Sequence, residues 1–382
     1  MGQPVPLAVR GGFQVIKVLH TADLHLDTPF SAMNDVQKAR TRRLELREAF
    51  GKTVDQARLR DVSVVLLAGD MLDNALSSGA SFRSLCGRMR AAEDIKFFVA
   101  PGNHDFYSPL SPWRLMELPG NVHVFTGGIE RVDLDGGVSV YGAAFTGEYR
   151  DEPVLEGFTV DDPQRINIMV LHGEVTTSPS RYNPITPEMI EKSGLDYLAL
   201  GHVHAFSGLM RHGGTFWCYP GTPEPRGFDE TGEKGAVIAK IDKGKVDLEF
   251  IPIAKRRYVE LDADAGGLSS EEEIRELVRR TLENVSADDI VRVYLRGRVP
   301  PELKVSEGDI ESAFDDRFYL RVIDALRPDE DIDSIALEQS LRGAFVRNIM
   351  RRMETADEEQ RDMLTDALAC GLAALSGEEI AL

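Results

Sequence analysis

The sequence predicts a layered α/β fold: a pair of mixed sheets flanked by helices, followed by a smaller α+β unit and a helical tail. Three observations predict it. Apolar, β-branched runs alternate with helix-periodic segments over the first hundred residues. Shorter strand-like runs then follow one another with little helix between them. After about residue 256 the pattern changes again.

Each element follows from its own residues. VIKVLH (15–20) reads as a buried strand, and residues 35–60 as a helix carrying Val36, Leu44, Leu46, Phe50, Val54 and Leu59 at helical spacing. VSVVLLAG (62–69) and IKFFVAPG (95–102) are further strands, joined by a helix over 81–93. That β-α-β-α-β order argues for a parallel sheet with right-handed crossovers. VHVF, GVSVYGAAF, INIMVLHG, LDYLALG, GAVIAKI and KVDLEFI complete a sheet pair of mixed strand direction, placing a first domain over 1–256.

A capping box, Ser270 with Glu273, starts a helix that runs to about Asn284. IVRVYLRGRV and RFYLRVIDAL are strands, so residues 257–328 form an α+β unit. Residues 329–382 read as two amphipathic helices. Leu337, Leu341, Phe345 and Ile349 fall at four-residue steps, Thr355 and Glu358 make a second capping box, and Met363, Leu364, Leu368, Leu372 and Leu375 continue the stripe. The stripe suits packing within the chain and docking of a partner about equally.

Composition narrows the function classes. No stretch approaches the roughly 20 apolar residues of a membrane span, and residues 1–14 hold no apolar signal core, so a cytoplasmic protein is expected. Three scattered cysteines imply no disulfide framework. The formal net charge of −19 counts against nucleic-acid binding by bulk charge. Metal ions or a partner would have to supply the missing positive charge.

Polar residues gather where the apolar runs stop. HTADLHLD places Asp23 and His25 after the first strand, AGDMLD places Asp70 and Asp73 after the second, and PGNHDFY places Asn103, His104 and Asp105 after the third. Two later runs end in His172 and in the pair His202 and His204. Ligands of open α/β sheets bind outside the carboxyl ends of the strands. Taken singly, each motif is ordinary turn chemistry or a packed histidine; together they describe one site. Cysteine is absent from the set, which disfavours a thiolate zinc site. Asp, Asn and neutral His suit manganese, with iron, zinc or magnesium as alternatives. Seven candidate ligands (Asp23, His25, Asp70, Asn103, His172, His202 and His204) exceed the need of one ion and suit two about 4 Å apart, with Asp70 able to bridge.

The ordered blocks DLH, GDMLD, GNHD, LHGE and GHVH, spanning residues 23–204, resemble the signature of the calcineurin-like metallophosphoesterases. The resemblance implies a four-layer β-sandwich flanked by helices. It implies one ion on Asp23, His25 and His204, a second on Asn103, His172 and His202, and Asp70 between them. It also implies that His104 stabilises the phosphoryl group and protonates the leaving oxygen, that Asp73 orients His104, and that activated water attacks without a covalent phosphoenzyme. Asp105 is expected to hold the turn.

LHTADLHLDTPF (19–30) and YPGTPEPRGFDETGEKG (219–235) resemble the SbcD-like DNA repair exonucleases, in particular their YhaO-type branch. Asp73 departs from the histidine that archaeal and eukaryotic members carry there and follows the general phosphoesterase pattern. The narrower resemblance implies a nuclease on DNA ends, a capping role for residues 257–328, a tail that docks an SMC-like (SbcC-like or YhaN-like) ATPase, and a homodimer. Arg292, Arg296, Arg298, Arg317 and Arg321 could meet phosphates or simply line a solvated face. Phe106, Tyr107 and Trp113 fit a base contact or a loop anchor. The alternatives to a nuclease are a phosphoesterase for nucleotides or cyclic nucleotides, and an adaptor whose metal site is vestigial.

Overall fold

A computed structural model of the chain describes residues 15–31, 33, 35–74, 79–329 and 331–376. The reading of residues 1–14 as free of a signal lies outside them. The first sheet is laid down by β1 (Ile16–Thr21), β2 (Val64–Leu67), β3 (Lys96–Val99) and β4 (Val122–Val124), parallel neighbours in that order. Their connections carry α1 (Val36–Leu59), α2 (Gly79–Arg90) and the short α3 (Pro112–Leu115). The second sheet takes β5 (Glu130–Leu134), β6 (Val138–Gly142) and β7 (Ile166–His172), then β10 (Tyr197–Gly201), β11 (Met210–His212) and β12 (Thr215–Cys218), in the order β11-β12-β10-β7-β6-β5. Between β7 and β10 lie the two-residue pair β8 (Glu174–Val175) and β9 (Pro184–Ile185), and α4 (Pro187–Ser193). The chain returns to the first sheet through β13 (Gly235–Asp242), antiparallel to β1, and β14 (Lys245–Pro252).

Side-chain alternation turns these strands into layers. On β1 and β2, Leu19, Val65 and Leu67 face α1 and α2 in one apolar cluster with Leu46, Phe50, Val54, Phe82 and Leu85. Val18, Val64 and Leu66 face the other way, onto Val140, Ile168, Val170, Tyr197 and Ala199 of the second sheet. The far face of that sheet, with Met169, Leu171, Leu198 and Leu200, packs on Ile190 of α4. The result is the expected helix–sheet–sheet–helix layering, with both sheets apolar on both faces. The sequence reading passes over β5, β11 and β12, which are short and partly polar.

α1 departs from its sequence pattern. Asp35 caps it, accepting from the main-chain N–H groups of Gln37 and Lys38. Val36, Leu44 and Leu59 are exposed, while Arg42 and Glu45 are buried. The reason is a charge network: Arg42 Nη1 lies 2.6 Å from Glu224 and 2.5 Å from Glu45, and Arg256 Nη2 lies 2.8 Å from Glu45. Ion pairing overrides apolar periodicity on this face.

His20, the last-but-one residue of β1, links the two sheets. A carbonyl can only accept, so the 3.1 Å contact of Nε2 with Leu200 O assigns the proton to Nε2. Nδ1 then accepts from the Tyr197 hydroxyl at 3.0 Å. Burial pushes the His20 pKa down to about 3.

The chain forms two compact units, Met1–Val259 with Asp288–Ile290 and Glu260–Ala287 with Val291–Leu382. The second unit contains most of a three-stranded sheet, β15 (Tyr258–Asp264), β16 (Ile290–Arg296) and β18 (Tyr319–Asp324) in that order, the first residues of β15 and β16 belonging to the first unit. It also contains α5 (Glu271–Thr281), the pair β17 (Arg298–Val299) and β19 (Arg327–Pro328), and α6 (Glu307–Ser312). The Ser270–Glu273 capping box forms on α5. The tail comprises three helices rather than two: α7 (Ile332–Leu337), α8 (Leu341–Met353) and α9 (Glu358–Ser376). Glu338 leaves the helical region at ψ 139° and breaks the stripe. Leu337 and Leu341 are therefore 84% and 74% exposed, while Ile335, Val346, Ile349, Leu368 and Leu372 make the tail core. Asp357, not Thr355, accepts from the Gln360 N–H at the start of α9.

Two predictions follow from this packing. His20 is neutral when folded and protonates once unfolded, so stability falls as pH drops from about 6.5 towards 3. His20→Gln removes this titration and loses about 2 kcal/mol less stability than the wild type between pH 6.5 and 5, measured by urea unfolding at both values. Arg42→Ala leaves Glu224 buried without its ion-pair partner, while Glu45 keeps Arg256, and lowers stability by about 3–5 kcal/mol in the same assay.

Candidate dinuclear metal centre

Strand register delivers the candidate residues to one place. Thr21 pairs with Leu67 and Leu67 with Val99, so β1, β2 and β3 end level. Gly201 pairs with His172 at the ends of β10 and β7. The loops after β1 and β2 are then zipped together: Asp23 N donates to Gly69 O, His25 N to Asp70 O, and Asp73 N back to Leu26 O, all at 2.9–3.0 Å. Asp23, His25, Asp70 and His202 have φ of 54°, 46°, 52° and 108°. Such left-handed backbone in non-glycine residues costs on the order of 1–3 kcal/mol each and clusters at functional sites. The site is tight enough to demand glycine: a Cβ at Gly69 would sit 2.4 Å from His172 Nδ1, and one at Gly102 2.2 Å from Asp70 Oδ1.

Three groups of donor atoms result among the described residues, one of them His25 with Asp73 and His104. Asp23, His25 and His204 present atoms within 4.8 Å of one another, as do Asp23, Asp70 and His172. Asp70 Oδ2 lies 3.7 Å from His25 Nε2 and 3.3 Å from His172 Nε2, between the groups. Asn103 Oδ1 is 3.0 Å from His172 Nε2, and the His202 ring is 5.2 Å from that of His172. All seven sequence-predicted ligands are thus brought together.

The residues around them set their protons. His172 Nδ1 donates to Ala68 O at 2.9 Å, which presents Nε2 to Asp70 and Asn103. His104 Nδ1 donates to the main-chain oxygen of Asp73 at 2.8 Å, and its ring stands 4.7 Å from that of His25. The orienting contact on His104 is thus the Asp73 carbonyl. The Asp73 carboxylate instead lies 3.5 Å from His25 Nδ1 and accepts from Thr28. Asp105 is the buried pin of the site, accepting from the main-chain N–H of Gly102, Asp70 and Met71 and from Trp113 Nε1. Trp113 is buried and serves as the loop anchor.

Burial pushes Asp23 up to about 6, against His172 and His204. Burial also presses upward on Asp70, but His172 and His25 outweigh it and hold that carboxyl well below the usual range. It lowers His25 and His202 to about 4 each. It presses on His172 too, yet the Asp70 and Asp23 carboxylates hold that ring at about 9.

These residues fit a pair of divalent ions. His25 Nδ1 faces the Asp73 carboxylate at 3.5 Å, while Nε2 is buried without a hydrogen-bond partner among the described residues, an arrangement that costs free energy unless a ligand completes it. The donors are carboxylate, amide oxygen and imidazole, the set expected of such ions.

Sequence reasoning misses two residues here. Glu230 Oε1 is 2.8 Å from His204 Nδ1. Arg226 Nη2 is 2.7 Å from the same carboxylate, and its Nη1 is 3.8 Å from Asp73. Both fall within the 219–235 segment singled out by resemblance, and their four-residue spacing is the only local signal.

The profile of the calcineurin-like phosphoesterase family matches residues 16–206. The chain belongs to that family. Membership implies a hydrolase acting on phosphoesters, and the chain carries candidate residues for a dinuclear metal site. Its sequence is 30% identical to the metallophosphoesterase YhaO of Bacillus subtilis over 246 residues, 61% of this chain and 59% of that protein's length. It is 24% identical to the DNA double-strand break repair protein Mre11 of Methanopyrus kandleri over 379 residues, 92% of this chain and 80% of that one. Among solved structures, a dimetal phosphatase from Danio rerio covers 63% of this chain and 99% of its own, at 11% identity and a TM-score of 0.41. No helix among the described residues is long and apolar enough to cross a membrane.

Glu230 is a carboxylate that holds the ring of the candidate ligand His204 at Nδ1, where the Arg226 guanidinium also lies at 2.9 Å. Glu230→Gln weakens binding of one of two manganese equivalents by about 10–100-fold, measured by equilibrium dialysis with metal analysis.

Proposed function

We propose that the chain is a two-metal phosphodiesterase acting on DNA ends, with manganese as its metal and an SMC-like ATPase as its partner. The observation that carries the DNA reading is the reach of the Mre11 similarity, which runs through 92% of this chain and so beyond the phosphoesterase domain. The exposed Leu337 and Leu341 of the tail suit the docking of that ATPase. A homodimer working in the cytoplasm belongs to the same reading. A nucleotide phosphoesterase is the second reading, and the charge favours it. Besides the net −19, Arg292, Arg296 and Arg321 are paired with Glu260, Asp262, Glu307 and Glu311, and Arg317 donates to the carbonyls of Leu282, Val285 and Ser286.

Asp23, His25 and His204 would hold one ion and Asn103, His172 and His202 the other, with Asp70 shared. Bound there, the ions supply Lewis-acid polarisation of the phosphoryl oxygens and an activated water. The chain's own residues do the rest. His104 is exposed, and with Nδ1 committed to the Asp73 carbonyl it offers Nε2 to the leaving oxygen, the nitrogen from which an imidazolium would give up its proton. The N–H of His104 donates to Asp70 at 2.9 Å and so ties this acid to the shared carboxylate. Asp105 joins the β2 and β3 loops rigidly, which keeps those two groups in register.

The test is hydrolysis of end-labelled linear duplex DNA with manganese, beside bis(p-nitrophenyl) phosphate. Wild type degrades both. His104→Ala lowers both rates by about 10²–10⁴-fold while retaining metal, and Asp70→Asn loses activity together with metal content. Cleavage of the dye alone, with the ATPase partner also present, would favour the nucleotide reading.

A further inference from the structure

Beside His202 the structure carries a row of flat groups that neither the metal centre nor the core requires. The Tyr182 ring lies 4.8 Å from that of His202, tilted by 32°. The Tyr149 ring lies 5.9 Å beyond Tyr182. The Arg181 guanidinium covers the Tyr149 ring at 3.7 Å from its centroid. Tyr149 is 46% exposed, although it sits in the loop that follows the wholly buried strand β6.

The row is held rigidly. Arg150 N donates to Arg181 O and Asn183 N to Arg150 O, both at 2.8 Å, so the 149–151 and 181–183 segments are stitched side by side. Buried Asn183 donates from Nδ2 to His172 O at 2.9 Å and accepts at Oδ1 from Val154 N at 2.8 Å. Asn183 adopts φ of 50°, a left-handed backbone kept in place by these bonds. Tyr182 is therefore fastened to the main chain of a candidate metal ligand. A mobile surface tyrosine would have no such tether.

We propose that Tyr182, Tyr149 and Arg181 form a stacking subsite for a nucleobase of the substrate, a position that rests on the phosphodiesterase reading of the adjacent centre. Every base offers a π-face to an aromatic ring or a guanidinium plane. The face of Tyr149 that a base would cover is now covered by Arg181. That guanidinium is tied only loosely among the described contacts: its ion pair with Asp151 is 3.4 Å long, and both side chains are more than 60% exposed. Such a pair contributes little, so a base can enter between ring and guanidinium at small cost. Arg181 then stacks on the outer face of the base and brings positive charge to a strand that the acidic chain otherwise repels. Tyr182 connects the two ends of the row, lying 4.8 Å from His202 and 5.9 Å from Tyr149, so a base on Tyr149 is next to the candidate ligands. The subsite accepts a free nucleotide or the terminal base of a strand by the same chemistry.

The experiment is equilibrium binding to the manganese-loaded full chain, which needs no turnover. Thymidine 5′-phosphate is titrated calorimetrically beside the abasic 2-deoxyribose 5-phosphate, and beside the single-stranded tetranucleotide (dT)4. Wild type binds the nucleotide at least about tenfold more tightly than the abasic phosphate, the range expected of one base–aromatic stack. Tyr149→Leu brings that ratio close to one, and Tyr149→Phe restores it because the ring, not the hydroxyl, does the binding. A tighter complex with (dT)4 than with the mononucleotide assigns the subsite to strand ends; equal affinity assigns it to nucleotides. Equal binding of nucleotide and abasic phosphate by wild type overturns the proposal. So does a ratio that survives Tyr149→Leu, or no nucleotide binding at all. A chain that binds the base but cleaves no DNA keeps the subsite and loses the nuclease reading.

Discussion

The structure depends on one electrostatic constraint, the burial of two aspartates among imidazoles at the mouth of two packed sheets. Asp23 and Asp70 are almost wholly withdrawn from water, and His25 and His172 beside them are equally buried. Charges in such a place are costly unless they are paired or held by a metal. The protein provides partial compensation. His202 N donates to both oxygens of Asp23, His104 N donates to Asp70, and His172 is drawn towards its protonated form between the two carboxylates. The unpartnered Nε2 of His25 marks what the polypeptide leaves undone. Divalent cations complete such an arrangement directly, because they neutralise the carboxylates and use the free lone pairs.

The backbone is shaped around the same need. Four of the seven candidate ligands sit in left-handed conformations that their side chains disfavour. What holds Asp23, His25 and Asp70 there is the zipper between the β1 and β2 loops, with Asp105 as its clasp, while the His202 N–H is tied to Asp23. The strain is offset by two sheets buried on both faces, so local cost is carried by distant packing. The Arg42–Glu45–Glu224–Arg256 network serves the same end at longer range. It fastens α1 to the 219–235 segment, and that segment carries the Glu230 and Arg226 side chains that hold His204. Positive charge is scarce in this chain, and near the centre it stands at a few placed residues: Arg226, Lys234 (which donates to His204 O) and Arg181. An anionic phosphoester at this centre would meet a few local cations rather than a basic surface.

The candidate ligands were legible in the sequence because the relevant physics is local. A strand that ends in Asp-x-His or Gly-His-x-His announces polar groups at a sheet edge, and the apolar runs before them announce the sheet. The layered fold was legible for the same reason, since period-two burial and helical spacing are properties of neighbouring residues. Contacts between distant segments decided the rest. Nothing near Glu230 in the chain says that it meets His204, and nothing near Tyr182 says that it lies against His202. The exposed Val36 and Leu59, the buried Arg42, and the break between α7 and α8 are of the same kind: each depends on what the folded chain placed opposite. Sequence by itself thus determined which side chains could bind metal and which strands would carry them. Tertiary structure alone decided which carboxylate faces which imidazole, because that is settled by strand register and loop closure across more than a hundred residues of chain.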